Sequence, residues 1–248
     1  MSRVNKIPEN AAIHEQPIIL VGGFLSSEHT YRKMQGFLQK ISGQTVWVVP
    51  IDAHIWFGSI ALSGWVLLLN KIEDTVRQAV QESKTGRATL IGHSSGGILG
   101  RLFLSPDPLR GHVYNGLSYI DTLITLGSPH YNHKGASLRK WVEEKYPGAY
   151  YDPRVRYISV VGKAIQGIKR GSPRERLTYW FYKTLCGRGD VWGDGFVPIP
   201  SALLKGSQEI IVDGIRHYSR SKHLWYGSET AVHSWWKRVD TERHSQMG

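Results

Sequence analysis

The sequence has a single cysteine and no long run of apolar residues. Cys186 has no second cysteine to pair with, so an intramolecular disulfide is excluded and the chain needs no oxidising compartment. Apolar runs such as residues 18–21 and 66–69 are far too short to span a bilayer or to act as an export signal. We therefore expect an intracellular, cytoplasmic protein, with a plastid location left open.

Acidic residues are also in short supply. The chain has 20 Asp and Glu against 31 Lys and Arg, a formal net charge of +11 that favours anionic surfaces, whether phospholipid or nucleic acid. No zinc knuckle, RNP-like strand or base-reading basic helix accompanies this charge. We therefore predict no nucleic-acid partner and keep a peripheral contact with an anionic membrane as a hypothesis. The sequence does not indicate the oligomeric state.

Strand-like and helix-like apolar patterns alternate along the chain, without an internal repeat or a linker. This alternation is typical of an α/β fold, a mostly parallel sheet of about six strands with helices on both faces. Apolar residues at helical spacing predict crossover helices at 31–41 and 64–83 and a final helix capped by Ser228. The strands are predicted at 17–22, 45–50, 87–92, 120–126, 155–161 and 209–212.

The length of 248 residues suits one domain with one sizeable core. We place this domain at 1–240 and a polar, flexible tail at 241–248. Residues 131–189 contain one clear strand, and the remainder is long enough for a small cap, or lid, over the carboxyl edge of the sheet. Within it, 173–186 mixes apolar and basic residues. This segment predicts a helix that either rests on an anionic lipid surface or packs on the body with its charges solvated.

Ser94 is the candidate nucleophile. It lies in GHSSG at 92–96, a GxSxG pattern that is informative only between a strand and a helix, and apolar segments of both kinds flank it here. Gly92 and Gly96 permit the sharp turn that lifts the Ser94 hydroxyl off the sheet. A turn without chemistry is the alternative. We interpret His93 as a packing residue, because a neighbour on such a turn is poorly placed to act as the base.

Acyl transfer also requires donors for a tetrahedral oxyanion, which backbone N–H groups in a preformed turn can supply. One candidate is the N–H of Ser95, directly after the nucleophile. The other is the N–H of Phe24, in the Gly-Gly turn that follows the first predicted strand. Glycines keep side chains away from an approaching substrate, although a simple turn would have the same composition.

A serine hydroxyl needs a histidine to remove its proton, and that histidine needs a carboxylate to fix its tautomer. When GxSxG stands between a strand and a helix, the chain order is serine, acid, histidine. Asp194 lies between two glycines and is preferred as the acid, with Asp190 as its rival. His217 follows the last predicted strand and is preferred as the base, with His223 as its rival.

His130 and His133 form the histidine pair whose spacing suits a metal site. No third ligand lies near them in the sequence, so a solvated loop is the better interpretation. We predict neither a metal nor a cofactor.

Six segments carry a resemblance to a known family. They are VGGFLSS at 21–27, LIGHSSGG at 90–97, TLGSPH at 125–130, GDVWGDGFVPIP at 189–200, GIRH at 214–217 and WYGS at 225–228. In this order they cover most of the chain and resemble the lipase-like α/β hydrolases related to the GPI inositol-deacylase group, which include short members from photosynthetic lineages. The chain departs from the family pattern in two places. Gly22 replaces a histidine before the oxyanion-hole glycine, and Arg220 and Lys222 stand in the loop after His217.

The resemblance implies an α/β-hydrolase fold, a triad of Ser94, Asp194 and His217, and an oxyanion hole at Phe24 and Ser95. It also implies a serine carboxylic-ester hydrolase that cleaves acyl esters, in particular those of lipids, through an acyl-enzyme on Ser94. An acyltransferase or a thioesterase would use the same triad. A non-catalytic ligand-binding protein on a hydrolase scaffold is the remaining alternative.

Overall fold

The computed structural model describes residues 16–58, 62–133, 138–218 and 223–245, so Arg220 and Lys222 lie outside the described residues. The strands of the described chain are β1 (Ile18–Val21), β2 (Val46–Val48), β3 (Ala88–His93), β4 (Ile120–Leu126), β5 (Arg156–Lys163), β6 (Ile165–Gln166), β7 (Trp192–Gly193) and β8 (Gln208–Asp213). The helices are α1 (Glu28–Ser42), α2 (Ala53–Gly58), α3 (Leu62–Gln81), α4 (Ser95–Leu104), α5 (Leu138–Lys145), α6 (Pro173–Cys186), α7 (Ile199–Ala202) and α8 (Glu229–Ser245).

Six of these strands form one parallel sheet in the order β2-β1-β3-β4-β5-β8. The chain runs from β1 outward to β2 and then crosses back to β3 on the other side of β1. The direction of winding therefore reverses at β1, and a crevice opens at the carboxyl ends of β1 and β3, where open α/β sheets bind their ligands. The predicted parallel sheet of about six strands is confirmed. A separate antiparallel ribbon joins β6 to β7.

The core lies in two layers, one on each face of the sheet, because successive strand residues point to opposite faces. On β1, Ile19 and Val21 face one layer, and Ile18 and Leu20 face the other. The first layer is completed from α3 by Leu68, Leu69, Ile72 and Val76 and from α4 by Ile98, Leu99 and Leu102. The second layer is completed from α1 by Tyr31, Met34 and Leu38 and from α8 by Val232, Trp235 and Trp236.

A third, smaller cluster attaches α6 and α7 to the carboxyl end of β5. It contains Val161 of β5, Leu185 of α6, Ala202 of α7 and Val197, which lies just before α7. This packing holds α6 beside the crevice, at the side where the cap was predicted. The boundaries of the cap at 131–189 and of the domain at 1–240 stay predictions.

Two local features differ from the sequence expectations. Helix α8 continues to Ser245, so residues 241–245 are helical, while 246–248 lie outside the described residues. The flexibility predicted for 241–248 stays a prediction. Once a helix has started, each further residue adds a backbone hydrogen bond, and polarity alone does not end it. The short helices α2, α5 and α7 and the β6–β7 ribbon were not predicted. Among the described residues no helix is both long and apolar enough to cross a bilayer.

His130 lies in a buried polar cluster rather than in a solvated loop. Its Nδ1 is 3.4 Å from Nη1 of Arg101, and its Nε2 is 3.2 Å from Oγ1 of Thr125. Arg101 is itself buried and donates to Glu143 and to the Tyr146 carbonyl. Burial, followed by the charge of Arg101, holds the pKa of His130 well below its usual value of 6.5. Because the guanidinium of Arg101 can only donate hydrogen bonds, it requires a neutral His130 imidazole that accepts at Nδ1.

This cluster makes stability depend on pH. Below pH 6.5 the unfolded chain binds a proton that native His130 does not bind, so the free energy of unfolding falls as the pH is lowered. The slope contributed by one such histidine approaches about 1.4 kcal/mol per pH unit. Urea unfolding between about pH 5 and 8 should show this loss, and His130→Asn, which keeps an acceptor for Arg101, should reduce it. His133→Asn, at an exposed position on the same loop, is the control. Equal slopes in wild type and His130→Asn would contradict the assignment.

Candidate active site

Ser94 stands at the junction between β3 and α4 in a backbone conformation that few residues adopt. Its φ is 53° and its ψ is −122°, and its N–H donates to the Leu126 carbonyl at 2.9 Å. A non-glycine residue at positive φ is strained, and such strain persists only where the surroundings enforce it. The surroundings are tight here, since a Cβ on Gly96 would lie 2.5 Å from the Val21 carbonyl oxygen. The sharp turn presents the Ser94 side chain at the carboxyl edge of the sheet.

The structure brings Ser94, His217 and Asp194 into one hydrogen-bonded line. Nε2 of His217 is 3.0 Å from Oγ of Ser94, and Nδ1 of His217 is 2.7 Å from Oδ2 of Asp194. All three side chains are buried, with exposed fractions of 6%, 2% and 1% for Ser94, His217 and Asp194. Asp194 fixes the proton of His217 on Nδ1, so Nε2 is the atom that accepts the Ser94 proton.

The Asp194 carboxylate is held by four donors, two on each oxygen. Oδ1 accepts from the backbone N–H groups of Phe196 and Val197 at 2.9 and 2.7 Å. Oδ2 accepts from His217 and from the Tyr226 hydroxyl at 2.7 and 2.9 Å. The backbone N–H of His217 also donates to the backbone carbonyl of Asp194. This contact joins the loop that carries the acid (the acid loop) to the loop that carries the histidine (the base loop). Donors on both oxygens leave the carboxylate one orientation.

Tyr226 is a member of this site that sequence reasoning missed. Its hydroxyl donates to Asp194 and accepts from the Gly162 N–H at the end of β5, at 2.9 Å. Burial, followed by the charge of Asp194, raises the pKa of Tyr226 well above its ordinary value, so the phenol keeps its proton and remains a donor. Its position in the WYGS segment was the available signal, but no chemistry in the sequence indicated its partner.

A second network lies behind the triad and reaches the loop after β1. The Gly23 N–H donates to the Tyr31 hydroxyl at 2.8 Å, and that hydroxyl is hydrogen-bonded to Nδ1 of His93 at 2.8 Å. The His93 ring stands 4.9 Å from the His217 ring, centre to centre. Burial, followed by the charge of His217, holds the pKa of His93 well below its usual range. His93 therefore stays neutral and supports the site without taking the proton of Ser94.

Tyr31 also accounts for the glycine at position 22. A Cβ on Gly22 would lie 2.7 Å from Cε2 of Tyr31 and 2.7 Å from Oγ of Ser26. A larger residue would displace the Tyr31 ring, and Gly23 would lose its hydrogen-bond acceptor. In this chain the loop after β1 is supported by a tyrosine from α1.

Phe24, in the turn after β1, and Ser95, directly after the nucleophile, both lie close to Ser94. Phe24 lies in a turn closed by the Ser26 N–H, which donates to the Gly23 carbonyl at 3.1 Å. Ser95 is the first residue of α4, where a helix leaves its N–H groups without intrahelical acceptors. In the described part of the chain, neither N–H donates to a protein acceptor. Both donors are available to a ligand.

Asp190 and His223, the alternative candidates for the acid and the base, lie elsewhere. Asp190 is exposed and pairs with Arg188 at 3.4 Å, away from His217. His223 is exposed at the wall of the neighbouring cleft and makes no contact with Ser94. The geometry thus combines Asp194 and His217 with Ser94.

A cleft of about 790 Å³ opens beside the triad, between α6 and the two loops that carry the acid and the base. From α6 it is lined by Pro173, Arg174, Leu177, Thr178 and Phe181; the acid loop adds Asp194, Gly195 and Phe196; the base loop adds Arg216, His217, Tyr218 and His223. A much smaller cavity of about 30 Å³ lies at Ser94 itself, under Gly23 and Phe24. No cluster of His, Cys, Asp and Glu suited to a metal is present among the described residues.

Comparisons with known proteins give matches in structure only. Neither a protein-family model nor a curated protein sequence matches the chain. Among solved structures, Est1E from Butyrivibrio proteoclasticus is 12% identical with a TM-score of 0.51, over 94% of this chain and 90% of that one. Esterase 2 from Thermogutta terrifontis is 13% identical with a TM-score of 0.49, over 94% and 83% of the two chains.

The likeness to Est1E agrees with the strand order and with the strand–turn–helix at Ser94. The chain has the α/β-hydrolase fold. In this fold the nucleophile follows a central strand, and the acid and the histidine come later in the chain, as Asp194 and His217 do here. At 12% identity the likeness shows the fold alone.

The variant Tyr226→Phe tests whether the Tyr226 hydroxyl holds the Asp194 carboxylate in place. The variant removes one donor to Asp194 and leaves the buried Gly162 N–H without an acceptor, at almost unchanged volume. Loss of a buried hydrogen bond to a charged group should lower the free energy of unfolding by about 1.5–3 kcal/mol. Tyr150→Phe, at a tyrosine that is 52% exposed, is the control and should change it by less than about 0.5 kcal/mol. Equal stabilities for the two variants, measured by urea unfolding, would show that Tyr226 does not hold the carboxylate.

Proposed function

We propose that the protein is a serine hydrolase that cleaves carboxylic esters through an acyl-enzyme on Ser94. The observation that carries the proposal is the line from Ser94 Oγ through His217 to the Asp194 carboxylate, with distances of 3.0 and 2.7 Å. A hydroxyl at a strained turn, hydrogen-bonded to a histidine whose tautomer a carboxylate fixes, is the arrangement of an activated nucleophile.

In the first half of the proposed reaction, Ser94 is acylated. His217 Nε2 takes the hydroxyl proton while Oγ attacks the ester carbonyl carbon, and the carbonyl oxygen becomes an oxyanion that the N–H groups of Phe24 and Ser95 bind. Asp194 stabilises the imidazolium that forms. When the intermediate collapses, the bond to the alcohol oxygen breaks and His217 gives its proton to that oxygen.

In the second half, water replaces the alcohol. His217 takes a proton from the water as its oxygen attacks the acyl carbon, a second oxyanion forms in the same position, and the bond to Ser94 breaks. His217 returns the proton to Ser94, and the carboxylic acid leaves. Tyr226 acts through Asp194 and His93 acts through Tyr31 and Gly23, so both are positioning residues and not catalytic ones.

The proposed substrates are acyl lipids. Apolar side chains remain exposed around the entrance of the site, with exposed fractions of 42% for Phe24, 57% for Leu177 and 48% for Tyr218. Such exposed apolar surface beside the site suits a lipid substrate. The motif resemblance to lipase-like hydrolases of the GPI inositol-deacylase group is consistent with this class.

A fluorophosphonate probe tests the nucleophile. Wild type should be labelled on Ser94, and Ser94→Ala should not be, because the probe forms a covalent bond with an activated serine oxygen. Ser118→Ala, at an exposed serine outside the site, is the control and should be labelled like wild type. Hydrolysis of p-nitrophenyl esters from short to long acyl chains should fall by about a thousandfold or more in Ser94→Ala. If folded wild type stays unlabelled, with and without detergent, the binding-protein alternative is favoured.

Contact with an anionic membrane is a further proposal, for α6. This helix buries Thr178, Tyr182 and Leu185 against the body, while Leu177 and Trp180 remain 57% and 53% exposed. The charged residues of the same helix are mostly basic, and Lys183 lies 5.4 Å from the centre of the Trp180 ring. An exposed apolar strip flanked by cations suits the surface of an anionic bilayer.

Sedimentation with vesicles that contain phosphatidylserine tests this contact. Wild type should sediment at low salt and be released as salt screens the attraction. Leu177→Ser should weaken binding, because it removes apolar surface from the exposed strip. Leu67→Ser, at a leucine on α3 that is 56% exposed, is the matched control. Absence of sedimentation at low salt, or equal loss in both variants, would rule out docking through α6.

A further inference from the structure

Arg216 stands directly before His217 in the chain and forms no ion pair within the described residues. Its Nη1 atom is buried and has no hydrogen-bond partner in the described part of the chain. Its backbone is fixed by a hydrogen bond from its N–H to the Leu224 carbonyl at 2.8 Å. A buried guanidinium nitrogen without an acceptor is costly, so its position calls for an explanation, and a bound anion would supply the acceptor.

Among the described residues that line the cleft, no carboxylate is available to Arg216. Asp194 is the acidic residue of the lining, and both of its oxygens already accept two hydrogen bonds each. The other ionisable residues of the wall, besides His217 and Tyr218, are Arg174 on α6 and His223 on the base loop. Neither forms an ion pair within the described residues.

The cations in the wall of the cleft act on one another. Burial, followed by the charge of Arg174, lowers the pKa of Arg216. Burial, followed by the charges of Arg216 and Arg174, lowers the pKa of His223. The two guanidinium groups of the wall therefore repel each other, and the carboxylate of the described lining, Asp194, already accepts four hydrogen bonds.

The position of the cleft indicates which part of a substrate would meet this charge. His217 must deliver a proton to the leaving alcohol, so the alcohol part of an ester lies on the side of His217. The cleft of about 790 Å³ borders His217 on that side and is large enough for a polar headgroup.

We propose that Arg216 and Arg174 bind a phosphate or carboxylate group on the alcohol part of the ester substrate. Guanidinium groups bind both anions through paired N–H donors, and here one comes from α6 and the other from the base loop. This inference rests on the proposed ester hydrolysis and adds the chemical class of the alcohol.

Two soluble esters with the same acyl group provide the kinetic test: 1-butyrylglycerol 3-phosphate and 1-butyrylglycerol. Wild type should have a kcat/KM at least about tenfold higher for the phosphorylated ester, as expected for charge-assisted hydrogen bonds in a partly buried site. Arg216→Gln should lower this ratio about tenfold, Arg216→Lys should lower it less, and the more exposed Arg174→Gln should lower it a few-fold. Arg154→Gln, an exposed arginine before β5 and thus at the opposite edge of the sheet, is the control with the same charge change.

A second arm separates recognition of the group from attraction to a charged membrane. Long-chain phosphatidate and diacylglycerol are presented in otherwise neutral vesicles. Preference for phosphate in the soluble pair as well as in vesicles supports the binding site. Preference in vesicles alone would assign the effect to the membrane surface and overturn the proposal.

Binding of inorganic phosphate to Ser94→Ala, measured by calorimetry at constant ionic strength, needs no turnover. The double variant Ser94→Ala, Arg216→Gln should bind inorganic phosphate about tenfold more weakly than Ser94→Ala. Phosphate that does not bind Ser94→Ala, or a kinetic ratio near one in wild type, would overturn the anion site. Fluorophosphonate labelling separates the two proposals: a labelled enzyme without preference retains the ester hydrolysis and loses the anion site, whereas an unlabelled wild type loses the hydrolysis.

Discussion

Each oxygen of the buried Asp194 carboxylate accepts two hydrogen bonds, and the arrangement of the site follows from them. The backbone donors from Phe196 and Val197 fold the acid loop around the carboxylate. Tyr226 connects it to the end of β5, and His217 connects it to Ser94. In a water-excluded interior these bonds are stronger than in water, and the loss of any one leaves a buried group without its partner. One carboxylate thereby sets the orientation of the base and the position of two loops.

The turn at Ser94 is the second constraint, and it is a geometric one. Glycines at 92 and 96 allow the start of α4 to lie against the loop after β1, and this close approach keeps Ser94 at a φ of 53°. The same approach brings the turn at Phe24 beside the first N–H groups of the helix. Strain in one residue is maintained by the packing of two core layers on the sheet.

The charge of the cleft contrasts with that of the triad. Around Asp194 every donor has an acceptor, whereas the buried nitrogen of Arg216 has none among the described residues. The four hydrogen bonds of the Asp194 carboxylate leave it unavailable to Arg216, which lines the same cleft. That imbalance, together with the exposed apolar side chains of α6, suggests a substrate with an anionic headgroup and an acyl chain.

Much of the fold was legible in the sequence. Apolar runs buried on both faces predicted the six parallel strands, because burial favours Val, Ile and Leu at every position. The candidate nucleophile could also be predicted from local sequence, because Gly92, Ser94 and Gly96 lie within one turn. Tertiary structure alone decided that Asp194 and not Asp190 faces His217, and that Tyr226, Tyr31 and Arg216 belong to the site. Those contacts join residues that are distant in the chain, and they exist only once the carboxyl ends of separate strands meet at one edge of the sheet.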